Sequence, residues 1–421
     1  MRIDSILPLA QRSSLPAEMK SGSHSFQSTT LSENLPTLMP PHTGHPLRVR
    51  MEVLRDGEGL AKLAAHWDGL LDQSVVRTPF MRWDWTELWW QHFESDYHAV
   101  FGAAWAADGR LVALVPLAIG PGQTSVRRRL RVLSFFAGLG EVVAEGLDFM
   151  VVPGHEETLI RLIDHVLEEI RSEWDLAHFG YADETSPFHK LLSGALAKHG
   201  LNAEARNHQE SPLIRLDEVS WEDYLMHRTA NFRKKFRRNW TAAKRDQQMV
   251  IRQLDEAADA PWFVDQLHRL HGLRWTAEES LFLQPRAKNF HKALAVRWAH
   301  QGRVVLLVME FNGQPVAANY AFVEGDQMWD YQGGWDVRYI ELSPAKLINA
   351  ENVRRAIERG IKVIDMLPGD LEYKSKWTQL FRKVVDFEAV NAHSVRARVF
   401  QSIRAVKKSL LKLLPGGESQ P

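Results

Sequence analysis

Two distant stretches of the chain read alike. Ala106 to Ile119, AADGRLVALVPLAI, and Glu310 to Val323, EFNGQPVAANYAFV, are each a strand, an Asx-Gly turn and a second strand. Each follows a small-to-apolar strand, VFGAAWA or RVVLLVM. Each precedes a third strand, then a helix (ETLIRLIDHVLEEI or SPAKLINAENVRRAIERG), then a final strand, DLAHFG or VIDMLP. In the first copy the third strand is read at Leu147–Val152, LDFMVV. The shared order predicts a tandem duplication of one α/β unit, with a mixed α+β sheet in each copy and the joint near residues 200–215.

The predicted organisation follows from composition along the chain. Residues 1–47 are rich in Ser, Thr, Pro and His without periodicity, and cannot bury enough apolar surface to offset their ordering entropy, so a disordered tail is expected. Residues 48–205 and 206–395 carry the two units. Residues 396–421 form a basic amphipathic helix and tail, for which packing on the body and attachment to an anionic membrane surface or partner both stay open. No apolar run approaches the ~18 residues of a membrane span, and the first residues, MRIDSILPLAQRSS, have too short an apolar stretch for export. The expected location is cytoplasmic, with a peripheral position at the inner membrane left open.

Charge and cysteine content exclude several chemistries. The 52 basic and 52 acidic residues give no global pull toward nucleic acid, so any polyanion site must be local. With no cysteine there is no disulfide, no thiolate metal site and no cysteine acyl-enzyme. The pair His268-x-x-His271 lacks a third ligand at recognisable spacing, so no metal is expected. The fifteen Trp residues could stack on sugar rings or fill the core.

A basic helix over 220–250 is predicted at the start of the second unit. From His227 to Arg245 it carries eight Lys or Arg and no acid, while Leu225, Phe232, Phe236, Trp240 and Ala243 supply an apolar stripe. Such a helix, with Arg237 and Arg238 at its middle, is either a solvated face or a cationic wall for a phosphate-bearing ligand.

Reactive side chains concentrate in the second copy. Ser343 is a suitable N-cap, Pro344 suits the first helical position and Ala345 leaves room for close approach, so this helix start, with Lys346, is a candidate pyrophosphate site. Before it, Trp329-Asp330-Tyr331-Gln332-Gly333-Gly334 places glycines in a strand, a sign of a bulge or of a ligand near the backbone; a freed N–H there could hold a developing oxyanion. After the final strand comes IDMLPGDLEYKSKW. Asp365 lies in that strand, and Asp370, Glu372, Tyr373, Lys374 and Trp377 follow its carboxyl end, where α/β sheets place ligands. A carboxylate there could accept an amine proton, Tyr331 or Tyr373 could give one to a leaving group, and Lys374 could hold an oxyanion; ordinary ion pairs would use the same residues.

The span from RVVLLVMEFNGQPVAANYAFV to YKSKW, above all SPAKL, AIERGIKVIDMLPGD and YKSKW, resembles the acetyltransferase-like domain of bacterial proteins grouped with the cellulose-biosynthesis protein CelD. That group lies within the GNAT superfamily, near the FemAB-type aminoacyltransferases, and the similarity covers roughly residues 48–400. The resemblance implies tandem GNAT-like domains and direct acyl transfer from acyl-CoA, such as acetyl-CoA, to an amine of a sugar or cell-envelope or exopolysaccharide precursor. It places the CoA pyrophosphate at Ser343 to Lys346, the thioester carbonyl against Tyr331 to Gly333, and Tyr373-Lys374 at the border of the transfer site. The Arg/Gln-x-x-Gly-x-Gly/Ala loop of ordinary GNAT proteins is absent at 339–346. Aminoacyl-tRNA, the FemAB donor, therefore stays open, with the basic helix touching tRNA. A non-catalytic binding protein of a polysaccharide-synthesis complex is the third reading. In the first copy, VVPGHEETLI replaces IELSPAKLI; its acidic helix start repels phosphate, so that half is expected to shape the acceptor side only.

Overall fold

A computed structural model describes residues 49–122, 129–184, 186–199, 204–217 and 219–403. The expected tail over 1–47, and the part of the C-terminal helix beyond 403, lie outside the described residues. The chain forms two compact units, the first from described residues between 49 and 208 and between 385 and 403, the second from those between 209 and 384.

The first unit runs β1 (Val49–Arg55), α1 (Asp56–Gln73), α2 (Trp83–Phe93), β2 (His98–Ala106), β3 (Leu111–Pro121), β4 (Arg131–Phe135), β5 (Met150–Val151), α3 (Glu156–Glu169), β6 (Leu176–Asp183) and α4 (Pro187–Lys198). Its strands pair in the order β1-β2-β3-β4-β6, with β4 and β6 parallel and β5 appended to β3. The β2–β3 turn uses Gly109 at φ 83°, the left-handed conformation that glycine adopts without cost. Leu159, Leu162, Ile163 and Val166 give α3 a buried face, and α3 crosses β2 so closely that a Cβ on Gly102 would lie 2.4 Å from Val166. The third strand is where the sequence reading needs correction. Within Leu147–Val152 only Met150–Val151 pair as strand, while β4 takes the place before the parallel crossover. The short run RVLSF was overlooked because it is too brief for a periodic signal.

The second unit comprises β7 (Glu204–Arg215), which enters it at Gln209, then α5 (Trp221–Met226), α6 (Ala230–Asp246), β8 (Val250–Gln253), α7 (Ala260–His271), α8 (Pro285–Ala299), β9 (Val304–Phe311), β10 (Gln314–Glu324), β11 (Gln327–Trp335), α9 (Pro344–Glu358), β12 (Val363–Asp365), α10 (Leu371–Lys374) and β13 (Leu380–Val390), which leaves it after Val384. Strand order is β7-β12-β11-β10-β9-β8, and α9 is the crossover between the parallel strands β11 and β12. The predicted basic helix is two helices, not one. Ser220 and Asp223 form a capping box on α5, and a second start at Thr229, whose hydroxyl accepts from the Phe232 amide, breaks the run. Phe232, Phe236 and Ala243 turn inward from α6 onto a core that includes Leu347, Ile348 and Trp377.

Candidate active site

The pairing of β11 with β12 stops early. Three register pairs, ending at Trp329–Asp365, are formed, and from Asp330 onward β11 has no β12 partner. On its other edge β11 is bulged: Tyr320 faces Gln332 while Ala321 faces Asp330, so Tyr331 is the extra residue and leaves the ladder. A strand end that diverges from its parallel neighbour beside a bulge exposes backbone N–H groups to a ligand.

Side chains from four elements converge on this opening through hydrogen bonds. Asn319 of β10 donates from Nδ2 to Asp330 Oδ1 at 2.6 Å and to Asn349 Oδ1 at 3.2 Å. Asn349, on α9, donates to the Tyr373 hydroxyl at 3.0 Å, and that hydroxyl reaches the Ala345 carbonyl at 3.4 Å. Burial raises the Asp330 carboxyl above the usual carboxylate range, against the opposing pull of Asn319 and the Lys374 charge. Burial likewise pushes the Tyr373 phenol well up, reinforced by the charge of Asp330. A buried carboxyl and a protonated phenol thus stand at the two ends of one hydrogen-bonded line, along which the two carboxamides donate.

The predicted carboxylates and lysine are otherwise engaged. Asp365 accepts from Ser211 Oγ at 2.5 Å, from the Leu367 amide at 2.8 Å and from Arg382 Nε at 2.5 Å, which spends its acceptor capacity on holding the end of β12. Lys374 donates to the carbonyls of Met366, Leu367 and Pro368 at 2.7, 2.8 and 3.0 Å, so its three protons brace the loop after β12. Asp370 caps α10, accepting from the Tyr373 amide at 3.1 Å, and Glu372 pairs at the surface with Lys376. Trp329 and Trp377, candidates for a substrate surface, are 5% and 0% exposed, so of the two readings open for the tryptophans these two take the core. Trp377 packs edge-on against Phe232, and its carbonyl accepts from Tyr224 and Arg228.

The start of α9 is cationic. Ser343 stands at the N-cap position in a left-handed conformation, φ 54°, and its hydroxyl turns back to the Ile340 carbonyl at 3.4 Å instead of capping the helix as expected. Pro344 is buried at the first turn, and Lys346 holds its ammonium 4.6 Å from the Phe232 ring. Burial lowers the Lys346 pKa, and two like charges, Lys235 of α6 and Lys376, lower it further. Lys235 and Lys376 thus lie within electrostatic reach of Lys346 in the first turn of α9, Lys376 also pairing with Glu372. Arg237 and Arg238 are exposed on α6, outside this cluster.

The two strand glycines have separate reasons. A Cβ on Gly334 would sit 2.5 Å from the His271 backbone nitrogen, so Gly334 lets α7 lie against β11. Gly333 has room, with Ala318 O at 3.5 Å; its amide donates to Gln332 Oε1 and its carbonyl accepts from His271 Nδ1 at 3.0 Å. His271 Nε2 accepts from Ser280 Oγ at 2.9 Å, a tautomer fixed by the carbonyl on the other nitrogen. Burial drives the His271 pKa down to about 4, so the ring is neutral. The Tyr331 hydroxyl points at His291 Nε2, 3.5 Å away, among the rings of Tyr320 and Phe322. Sequence reasoning missed Asn319, Asn349, the buried setting of Asp330, and Arg274. The Arg274 guanidinium lies over Trp335 at 5.2 Å and Trp275 at 5.7 Å, within the electrostatic reach of Asp370 and Tyr373. Asn and Arg at such spacings carry no local signal; the bulge they surround was anticipated from the glycines.

Residues 230–375 match the family model described as an acetyltransferase (GNAT) domain. Among solved structures, the crystal structure of FemX aligns over 81% of this chain and 98% of its own, at 9% identity and a TM-score of 0.54. The C-terminal DUF2156 domain of a putative lysylphosphatidylglycerol synthetase from Agrobacterium fabrum aligns over 82% and 96%, at 13% identity and 0.49. A tandem GNAT protein from the clavulanic acid biosynthesis pathway aligns over 82% and 100%, at 10% identity and 0.46. No curated protein matches the chain. The chain has the fold of FemX, and the GNAT match lies in the second unit, around the bulge and the hydrogen-bonded line. No three His, Asp or Glu side chains gather as a metal site, and no helix is long and apolar enough to cross a membrane, among the described residues.

Proposed function

We propose that the second unit transfers an acyl group from acyl-CoA, acetyl-CoA the first donor to try, to an amine on a sugar or cell-envelope precursor. The observation that carries the reading is the hydrogen-bonded line Asp330–Asn319–Asn349–Tyr373 beside the bulge at Tyr331, which holds a carboxyl and a phenol at one opening. In this scheme the amine nitrogen bonds to the thioester carbon and its proton passes to Asp330. The carbonyl oxygen, now anionic, is held by backbone N–H groups at the bulge. The carbon–sulfur bond then breaks, and the Tyr373 hydroxyl gives its proton to the leaving thiolate. Between turnovers Asp330 releases its proton to water and Tyr373 regains one from water, while the carboxamides of Asn319 and Asn349 hold the two groups in place. The Lys235, Lys346 and Lys376 cluster at the start of α9 would take the donor's phosphates. Asp365 and Lys374 would position the loop that bears Tyr373 rather than react, and Arg274 would face the acceptor.

One observation favours a second donor. α6 turns Lys234, Lys235, Arg237 and Arg238 outward, a face suited to the backbone of aminoacyl-tRNA. Calorimetry separates the two. We expect micromolar binding of acetyl-CoA that is lost in Lys346→Glu, with salt-dependent binding of a bulk aminoacyl-tRNA mixture as the result that moves the protein to the other donor. Binding of neither would overturn the transferase reading in favour of a non-catalytic partner protein.

A further inference from the structure

The first unit carries a surface that acyl transfer does not use. Residues 395–403 are helical, anchored by Ser394, which accepts from the Ala397 amide at 3.1 Å, and by buried Ala397. The opposite face is bare: Val395, Val399 and Ile403, spaced one turn apart, are 64%, 54% and 63% exposed. Isolated exposed apolar residues need no explanation, but three on one helical stripe do. The sequence continues the same period with Val406, Leu410 and Leu413, and from 395 to 414 it holds six Lys or Arg and no acid.

At the foot of this helix lies a cavity of about 490 Å³, lined by Arg131, Arg171, Trp174, Asp175, His393 and Arg396 among others, with Val395 on its rim. Asp175, fully buried, is consumed by Arg131 at 2.9 Å and by Ser394 at 2.6 Å. Arg171 meets Glu168 on the exposed face of α3, and Arg396 has no carboxylate partner among the described residues. Three guanidinium groups against one lining carboxylate leave the cavity positive.

We propose that residues 395–403 and this cavity form a docking surface for an anionic lipid bilayer, with the apolar stripe in the acyl boundary and a lipid phosphodiester against Arg171 and Arg396. Charge decides the occupant. A second copy placed on the same stripe would bring two acid-free cationic arms together, whereas an anionic leaflet attracts each of them.

The full chain is mixed with phosphatidylcholine vesicles containing 30% phosphatidylglycerol, or none, and separated by flotation. The wild type floats with the anionic vesicles and dissociates as salt is raised. Val399→Glu with Ile403→Glu weakens that binding at least tenfold, and Arg396→Gln weakens it several-fold, with circular dichroism melts unchanged because all three side chains are exposed. A wild type that stays unbound, or binding indifferent to these substitutions or to phosphatidylglycerol content, overturns the proposal. So does a dimer in solution that Val399→Glu with Ile403→Glu converts to monomer, since the stripe is then a self-interface.

Discussion

The two units share a strand plan and differ at the same place in it. In the first, β4 is five residues long and nearly all buried, and the crossover helix α3 begins with Glu156 and Glu157. In the second, β11 runs nine residues, bulges at Tyr331 and offers Asp330 and Gln332 at its free edge, while α9 begins without an acid and with Lys346. Both hairpins carry an irregularity near the turn, at Ala104–Trp105 in the first unit and at Pro315–Ala317 in the second, and among the described strand pairs the second unit adds the bulge at Tyr331, on the strand before the crossover. Under the proposed function one backbone scheme serves as scaffold in one copy and as a reaction centre in the other, because chemistry depends on a few residues at a strand end and not on the fold.

The largest effect that sharpens this contrast is catalytic. Tyr373→Phe should lower kcat about 10²-fold or more while leaving donor affinity within a few-fold, as expected for loss of a general acid. Tyr181→Phe, at the end of β6 in the first unit, should leave turnover unchanged; equal losses from both would break the assignment of chemistry to one unit.

Stability against pH comes next, and the two units should respond with opposite signs. His271 is held at about 4 against an ordinary 6.5, so the unfolded chain takes up the proton first and the second unit loses stability as pH falls through that window. Burial raises Asp148 of the first unit to about 7 from 3.8, against the hydrogen bond from Ser186, so here the unfolded chain releases the proton first and stability falls as pH rises. Each contribution is on the order of 3 kcal/mol. Thermal melts of His271→Asn and Asp148→Asn across pH 4 to 8 should each flatten one arm of the profile; a wild-type profile with neither arm would refute both. The smallest effect concerns the paired glycines. Gly334→Ala should cost about 1–3 kcal/mol in a melt, because the α7 backbone has nowhere to go, while Gly333→Ala should cost far less; equal costs would mean that α7 does not press on β11.

Much of the plan was legible before any coordinates. The Asx-Gly hairpins, the crossover helices and the final strands have strong period signals, and all are present. The glycine pair announced a bulge, which falls two residues earlier, at Tyr331. What failed did so for local reasons: RVLSF is too short to show alternation, and the break between α5 and α6 depends on caps hidden inside a basic run.

Within the candidate site the division is sharper. Sequence alone determined that Asp365, Tyr373 and Lys374 gather at the end of a parallel strand, because chain direction and hydrophobic period dictate where such a strand ends. Only the tertiary structure decided which of them has a free hand. Asp365 and Lys374 are saturated by Arg382, Ser211 and three carbonyls, while Tyr373 is tied through Asn349 and Asn319 to Asp330, residues brought together from three other elements. Hydrogen-bonding capacity and desolvation are properties of neighbours in space, and a linear sequence does not record them.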